Sequence, residues 1–411
     1  MARAVPAWVI GLAFVLTTPA GADDWPQWRG PARDGVWPAK GLPESFPAAG
    51  LKPRWKQPVG GGYGGIAVAG GRVYVMDRQK EPKEVERVVC LDAADGKPLW
   101  THDYAVAYGK LDYGNGPRST PTVHDGRVYA FGALGHLHCL DAAGGKVLWS
   151  RDTAKDFKGR APTWGHACSP LIDGDRVVVQ VGGEGACLVA LDRTTGKEVW
   201  RTLSDRPGYS SPVLAETKGG RQLLYWAAEH LSGLDPATGK VLWQVPHTTE
   251  YDVTISDPVL HDGVLLVSDY WEGSVALRLD DKGLDPKVLW QGKKPLSLLM
   301  STPLCRDGHA YALDRHDGLK CIELKTGRVK WEGQHVTPRG QNPHASLVWA
   351  GERALILNSR GELILAKLSP EGYREVGRAK VIDDTWAAPA FAGGCVFARN
   401  DTEIVRVPLG K

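Results

Sequence analysis

Leu191-Asp192-Arg193-Thr194-Thr195-Gly196-Lys197-Glu198-Val199-Trp200 is the stretch that decides the fold, because the chain repeats it. The phrase Leu-Asp-x-x-x-Gly-Lys-x-x-Trp returns at Leu91–Trp100, Leu140–Trp149 and Leu234–Trp243. Ile322–Trp331 is a conservative copy, and Leu279–Trp290 is a copy stretched by two residues. Steps of 49, 51, 43, 47 and 41 residues between the tryptophans mark an array of small structural units. Such an array overrides the two or three domains that 411 residues would otherwise suggest.

Each unit reads as four short strands. In the second, Ser119–Val123 leads through His124-Asp125-Gly126 to Arg127–Phe131, then His136–Leu140, then Lys146–Trp149. Asp-Gly between apolar runs is a hairpin signal, since glycine accepts the positive φ of a tight turn. The first-hairpin glycines count the units independently of the tryptophans. They fall at Gly71, Gly126, Gly174, Gly220, Gly263, Gly308, Gly351 and Gly394, which makes eight. The last unit runs out near Val405–Leu409 without an outer strand, while Leu51–Lys56 is an orphan strand in front of the first. Joining the two would leave no open edge where the ends meet. The expectation is an all-β, eight-bladed β-propeller of four-stranded antiparallel blades over residues 51–411. Its ring is closed by the N-terminal strand, and residues 23–50 form an N-terminal extension.

Residues 1–22 read as a signal peptide: Arg3, an apolar run from Val9 to Leu16, and Ala20-Gly21-Ala22 before Asp23. Export to the periplasm or medium follows; an uncleaved anchor is the competing reading. No segment is long and apolar enough for a transmembrane helix. With 50 Lys and Arg against 47 Asp and Glu, the chain carries +3 and no basic block, so nucleic acid lacks its electrostatic footprint. Seven cysteines without tight spacing read as free, buried thiols. The expected state is a monomer.

Inner strands begin with small residues before a proline, as in Ser119-Thr120-Pro121 and Ser210-Ser211-Pro212. Three residues before that proline position runs a column: Tyr63, Arg118, Ala167, Tyr209, Ile255, Met300, His344 and Trp386. These side chains should ring the mouth of the central channel, with Trp164, His166, Asp252 and Asn342 on the entry loops. Hairpins on the same face add Asp77, Asp269, Arg399 and others. Aromatic faces with a few convergent charges suit a planar or acidic ligand, or a partner's loop. A water-filled mouth is the competing reading. No metal site is expected: His136 and His138 are assigned to opposite faces of their strand, and His247–Asp252 has no ligand spacing. No nucleophile-elbow, haem-attachment or zinc-protease motif is present. Gly60–Gly65 precedes a strand, so it is no phosphate loop.

The phrase Leu-Asp-x-x-Thr-Gly-Lys-x-x-Trp resembles the repeat of PQQ-like β-propellers (pyrrolo-quinoline quinone repeat). That group includes quinoprotein alcohol dehydrogenases and the outer-membrane assembly factor BamB. The resemblance covers about residues 51–411; the head Asp24-Trp25-Pro26-Gln27-Trp28-Arg29-Gly30-Pro31 also looks like that of exported members. It implies an interblade role for the repeat tryptophan. Its dehydrogenases hold PQQ with calcium over an adjacent cysteine pair, and this chain has no two adjacent cysteines. The expectation is therefore a non-catalytic exported scaffold, without an assigned cofactor, that takes an envelope protein or small ligand at the channel mouth. A PQQ-dependent oxidoreductase is the alternative, with Trp164, Trp386 or Tyr209 stacking the quinone and Arg118 pairing its carboxylates.

Overall fold

The structure, a computed structural model, describes residues 23–410 apart from 40, 110, 281, 299, 317 and 341. The signal-peptide reading of residues 1–22 lies outside the described residues. Eight antiparallel sheets succeed one another along the chain, seven of four strands and one of five. Blade one is Ile66–Ala69, Arg72–Gln79, Val85–Asp92 and Pro98–Ala105, from the axis outward. Blades two to seven repeat that order. Blade eight takes Ala390–Ala392, Cys395–Arg399 and Glu403–Pro408 from the C-terminal end and Trp55–Pro58 from the front, pairing Trp55 with Arg406. The eight-bladed propeller and its mode of closure are as the sequence implies.

The repeat phrase explains how the blades lock. Gly96, Gly145, Gly196, Gly239 and Gly327 all sit at positive φ, between 69° and 78°. A Cβ on each would lie 2.5–2.8 Å from the indole of the preceding blade: Trp55, Trp100, Trp149, Trp200 and Trp290 respectively. Glycine is required twice over, for the turn and for the indole laid across it. Each of these indoles then donates Nε1–H to a carbonyl of the next blade, as Trp149 does to Arg193 at 3.1 Å and Trp290 to Leu324 at 2.7 Å. Trp243 departs from the rule because the next phrase is the stretched one. It donates instead to Gln222 Oε1 at 2.9 Å, and Gln222 Nε2 reaches the Gly283 carbonyl of that longer turn at 2.8 Å. Apolar side chains accordingly pack in clusters shared by neighbouring blades, so the core is a ring of seams. The seven cysteines are free and six of them are buried, five as members of such clusters.

Around the axis the residues before proline do more than fill space. Thr120 N–H donates to Ser169 Oγ (2.9 Å), Ser169 N–H to Ser211 Oγ (3.0 Å), Ser211 N–H to Asp257 Oδ1 (2.7 Å), and Asp257 N–H to Thr302 Oγ1 (3.2 Å). A hydrogen-bonded collar thus links blades two to six.

The extension is threaded through the base of this ring. Trp25 bridges Val68 of blade one, and the Pro26 carbonyl accepts Val123 N–H of blade two. Arg33 donates to the Ser169 and Pro170 carbonyls of blade three, and Trp28 to Asp257 of blade five. Arg29 donates to the Pro303 carbonyl of blade six. Val36–Trp37 then pairs in parallel with Trp349 and Ala350 of blade seven, supplying that sheet's fifth strand, and Trp37 packs on Phe391 of blade eight. Residues 25–37 therefore lace seven blades together. No repeat pattern announces that lace.

An aromatic cavity on the axis

All eight column residues, one per blade, line a single cavity of about 480 Å³. The column converges because each side chain stands three residues before the same inner-strand position, proline in six blades, Ile66 in blade one and Leu347 in blade seven. Trp164 and Asn342, expected from the entry loops, line it too. Two expected residues do not. His166 is 2 % exposed and lies behind the wall, its ring 4.9 Å from Phe131. Burial alone pushes its pKa down to about 3, so it is a neutral core histidine. Asp252 turns to Arg206, at 3.1 Å, and is held there instead of facing the axis. The hairpin residues Asp77, Asp269 and Arg399 serve as internal braces. Asp77 accepts from Arg87 and Gly60 N–H, Asp269 from Trp271 and Glu272 N–H, and Arg399 donates to the Met76 and Gly60 carbonyls.

One wall is an aromatic cluster. Trp164 stacks on Tyr209 with centroids 5.1 Å apart, and the Trp164 N–H donates to the Tyr209 hydroxyl at 3.2 Å. Tyr63 tilts against Trp386 at 5.9 Å, and Tyr113 joins the pairs, 5.7 Å from Trp164 and 5.8 Å from Trp386. The hydroxyl of Tyr63 donates to the Tyr113 carbonyl. A second cluster stands on blades four and five, where Trp271 lies 4.6 Å from Tyr270 and 5.4 Å from Tyr251. Tyr113 and Tyr251 are exposed rim residues, and both hold positive φ (64° and 58°) that a tyrosine adopts only under constraint.

The polar groups are few and mostly committed. Arg118 points its guanidinium at the carbonyls of Asp112, Gly114 and Gly116 and sits 5.4 Å from the Tyr63 ring centroid. No carboxylate of the described residues pairs with it. Burial, the first cause, lowers its pKa, which still leaves it a cation. His344 is 7 % exposed; burial pushes its pKa down to about 4, so it faces the cavity neutral, with Nδ1 unpartnered. Asn342 Nδ2 reaches the Tyr113 hydroxyl at 3.4 Å.

The floor comes from the lace. Trp28 donates Nε1–H to Asp257 Oδ2 at 2.5 Å, and both line the cavity. Burial raises the Asp257 pKa, and the neighbouring Arg29 and Arg33 oppose that rise. Sequence reasoning missed Trp28, Tyr113, Tyr251, Tyr270 and Trp271. The pair Tyr270-Trp271 was within reach, since it occupies the blade-five hairpin on the column's own face; Trp28 had no repeat register to place it.

The assignment of His136 and His138 to opposite faces was wrong: residues two apart on a strand share a face. The ring of Tyr104 touches both, at 5.5 and 4.2 Å, and His138 Nδ1 meets His102 Nε2 at 3.3 Å. Among the described residues no group of three or more His, Cys, Asp or Glu side chains is placed to hold a metal ion. No helix of the described residues is long and apolar enough to cross a membrane.

Known proteins bear on this arrangement as follows. A family model described as outer membrane protein assembly factor BamB matches residues 46–131, 84–332 and 227–409. The BamB of Yersinia pestis is 25 % identical over 170 residues, 38 % of this chain and 40 % of that protein. The match thus spans well under half of that relative's length. Among solved structures, BamB of Moraxella catarrhalis superposes with a TM-score of 0.61 at 17 % identity, covering 87 % of this chain and 97 % of that one. Quinohemoprotein alcohol dehydrogenase of Comamonas testosteroni gives 0.64 at 15 %, covering 95 % and 81 %. At such identities the structural likeness speaks for the fold alone. The family match spans nearly the whole propeller, and this chain belongs to the family of the outer membrane assembly factor BamB.

Proposed function

We propose that this protein is an exported, non-catalytic scaffold that receives a partner segment or small ligand in the axial cavity. The observation that carries this reading is the convergence of one residue from each of eight blades on a space of about 480 Å³, floored by Trp28. A cavity of that size, mostly aromatic and with few polar groups, has the make-up of a binding pocket. Catalytic machinery would need a nucleophile or a base within reach of a second titratable group. His344 is neutral, Asp257 is consumed by Trp28 and Ser211, and Arg118 is tied to carbonyls. The names of the BamB relatives point the same way, toward assembly at the cell envelope.

The quinoprotein reading fits less well. A calcium ion takes six to eight oxygen ligands, several from carboxylates. Among the described residues only Asp112 and Asp257 bring carboxylates to the cavity lining, and Asp257 is already committed. No cysteine lines the cavity.

Two experiments test the proposal. A photo-crosslinking residue in place of Tyr251, in the envelope of producing cells, should give a discrete adduct. The same residue at Val199, on an outer blade edge, should not. Equal labelling from both positions would count against the cavity. Titration with PQQ plus calcium should give no tight complex and no dye-linked alcohol oxidation, and an active stoichiometric complex would overturn the scaffold reading.

A further inference from the structure

We propose that the axial cavity takes the C-terminal end of a polypeptide, its carboxylate held by Arg118 and a bulky apolar last side chain seated among the aromatic rings. This rests on the binding role proposed above and names the chemistry of the occupant.

The charge argument comes first. Asp257, the one buried carboxylate of the lining among the described residues, is neutralised from beneath by Arg29 and Arg33 and accepts two hydrogen bonds. Asp112 is exposed at the rim, where water and salt screen it. Arg118 is left as a cation without a carboxylate partner among the described residues, fixed in direction by three backbone carbonyls. A guanidinium prepared in this way favours an anion: Nη2 is fully used on carbonyls, but the remaining Nε and Nη1 N–H groups can each give a carboxylate a single charge-assisted hydrogen bond.

Shape decides between kinds of anion. A flat fused-ring ligand needs two parallel faces around a slot. Here rings meet steeply at 82° (Tyr113 with Trp164), 52° (Tyr113 with Trp386) and 62° (Tyr251 with Trp271), while the flatter pairs, Trp164 with Tyr209 (27°) and Tyr63 with Trp386 (34°), lie against each other and leave no slot between them. They form a faceted bowl, which suits a three-dimensional apolar group. A polyhydroxyl ligand would need donors and acceptors on every side, whereas Tyr63, Tyr209 and Asp257 are committed and the open His344 Nδ1 stands among aromatic rings. A peptide end combines one carboxylate, one side chain and a backbone that can leave through the exposed rim between Tyr113 and Tyr251. Capture of a terminal carboxylate is a recurring peptide-recognition mode.

The test uses the full chain and acetyl-Gly-Gly-Phe as the probe, as free acid and as C-terminal carboxamide, in isothermal titration. The acid should bind about tenfold or more tightly than the amide, the difference expected for a hydrogen-bonded charge. Arg118→Gln should abolish that preference, and Arg118→Lys should restore part of it, with added salt weakening the acid alone. Arg118 also braces the 112–116 loop, so each variant is checked by thermal unfolding. A preference lost in step with stability, and not rescued by lysine, overturns the assignment. Equal binding of acid and amide overturns the carboxylate anchor while leaving the cavity as a binding site. Tighter binding of naphthalene-2,6-dicarboxylate than of the peptide overturns the choice of a peptide end. If indole, as a plain aromatic probe, also fails to bind at millimolar concentration, the cavity reading itself falls with it.

Discussion

Gly174 and Gly196 have nearly the same backbone and quite different duties. Both lie at positive φ (54° and 69°), one in an inner hairpin and one in the repeat phrase. A Cβ on Gly174 would meet nothing within 4 Å, whereas one on Gly196 would strike the Trp149 indole at 2.7 Å. Gly174→Ala therefore carries only the left-handed backbone cost, about 1–2 kcal/mol. Gly196→Ala adds the overpacking of a fixed ring between blades, a further 1–3 kcal/mol or so. The urea midpoint should fall more for Gly196→Ala than for Gly174→Ala, with unchanged slopes. Equal losses would mean that the indole yields freely and that the interblade wedge is not a constraint. The same contrast shows why this part of the fold was legible. A glycine every forty-odd residues, with a tryptophan at fixed distance, leaves a periodic trace in the sequence because each blade solves one packing problem in one way.

At the scale of elements the legible and illegible parts divide cleanly. The column from Tyr63 to Trp386 was readable because the inner strands are in register: an offset from proline places six of the side chains, and Ile66 and Leu347 hold the proline position for Tyr63 and His344. His166 and Asp252 were misplaced because they sit on irregular loops. Their directions are set by local partners, the Phe131 ring and the Arg206 guanidinium, which no spacing encodes. The lace is harder still. Its Trp25, Trp28, Arg29 and Arg33 each reach a different blade; Arg29 and Arg33 both donate to an inner-strand proline carbonyl, but the spacing between anchors follows no blade period. Its anchor can be tested at Asp257. Two donors, Trp28 Nε1–H and Ser211 N–H, point at that carboxylate, and two buried arginines lie close. Asp257→Asn turns an NH2 group toward one of those donors and removes the counter-charge. A loss of about 3–5 kcal/mol is expected, as for a broken buried charge pair. Limited proteolysis should then cut within residues 23–50 well before the propeller. An uncut extension in that variant would show that the lace holds without this anchor.

For the molecule as a whole, acid and ring closure are the two stresses that reach every blade. Burial holds His138 and His166 down to about 3 and His344 to about 4, against 6.5 for the free side chain. Below pH 6.5 the unfolded chain takes up protons that the folded one refuses, so stability rises with pH across that window and is fully present above it. For His344 alone the loss by pH 4 is on the order of 3 kcal/mol. Asp269, raised by burial to about 6, works in the opposite sense, as do Asp252 and Asp257, but five histidines are lowered, since burial also lowers His102 and His247. Urea midpoints should therefore drop steadily from pH 7 to pH 5, and His344→Gln should flatten the slope; a level profile would contradict the buried, neutral histidines. Closure depends on Trp55–Pro58, which alone covers the outer edge of Glu403–Pro408. Trp55 is 8 % exposed, lies across Gly96 and donates to the Ala93 carbonyl at 3.1 Å, so it bonds blade eight to blade one. Trp55→Asp places a charge in that seam and should release the strand, leaving a row of unpaired N–H and C=O groups. Such an edge pairs with another chain. Light scattering after size exclusion should show dimers and larger species at micromolar concentration. A variant lacking residues 23–37 keeps the closing strand and should keep the association state of the parent chain, though at lower stability. If the truncated chain associates and Trp55→Asp does not, the lace rather than the fourth strand of blade eight keeps the ring shut.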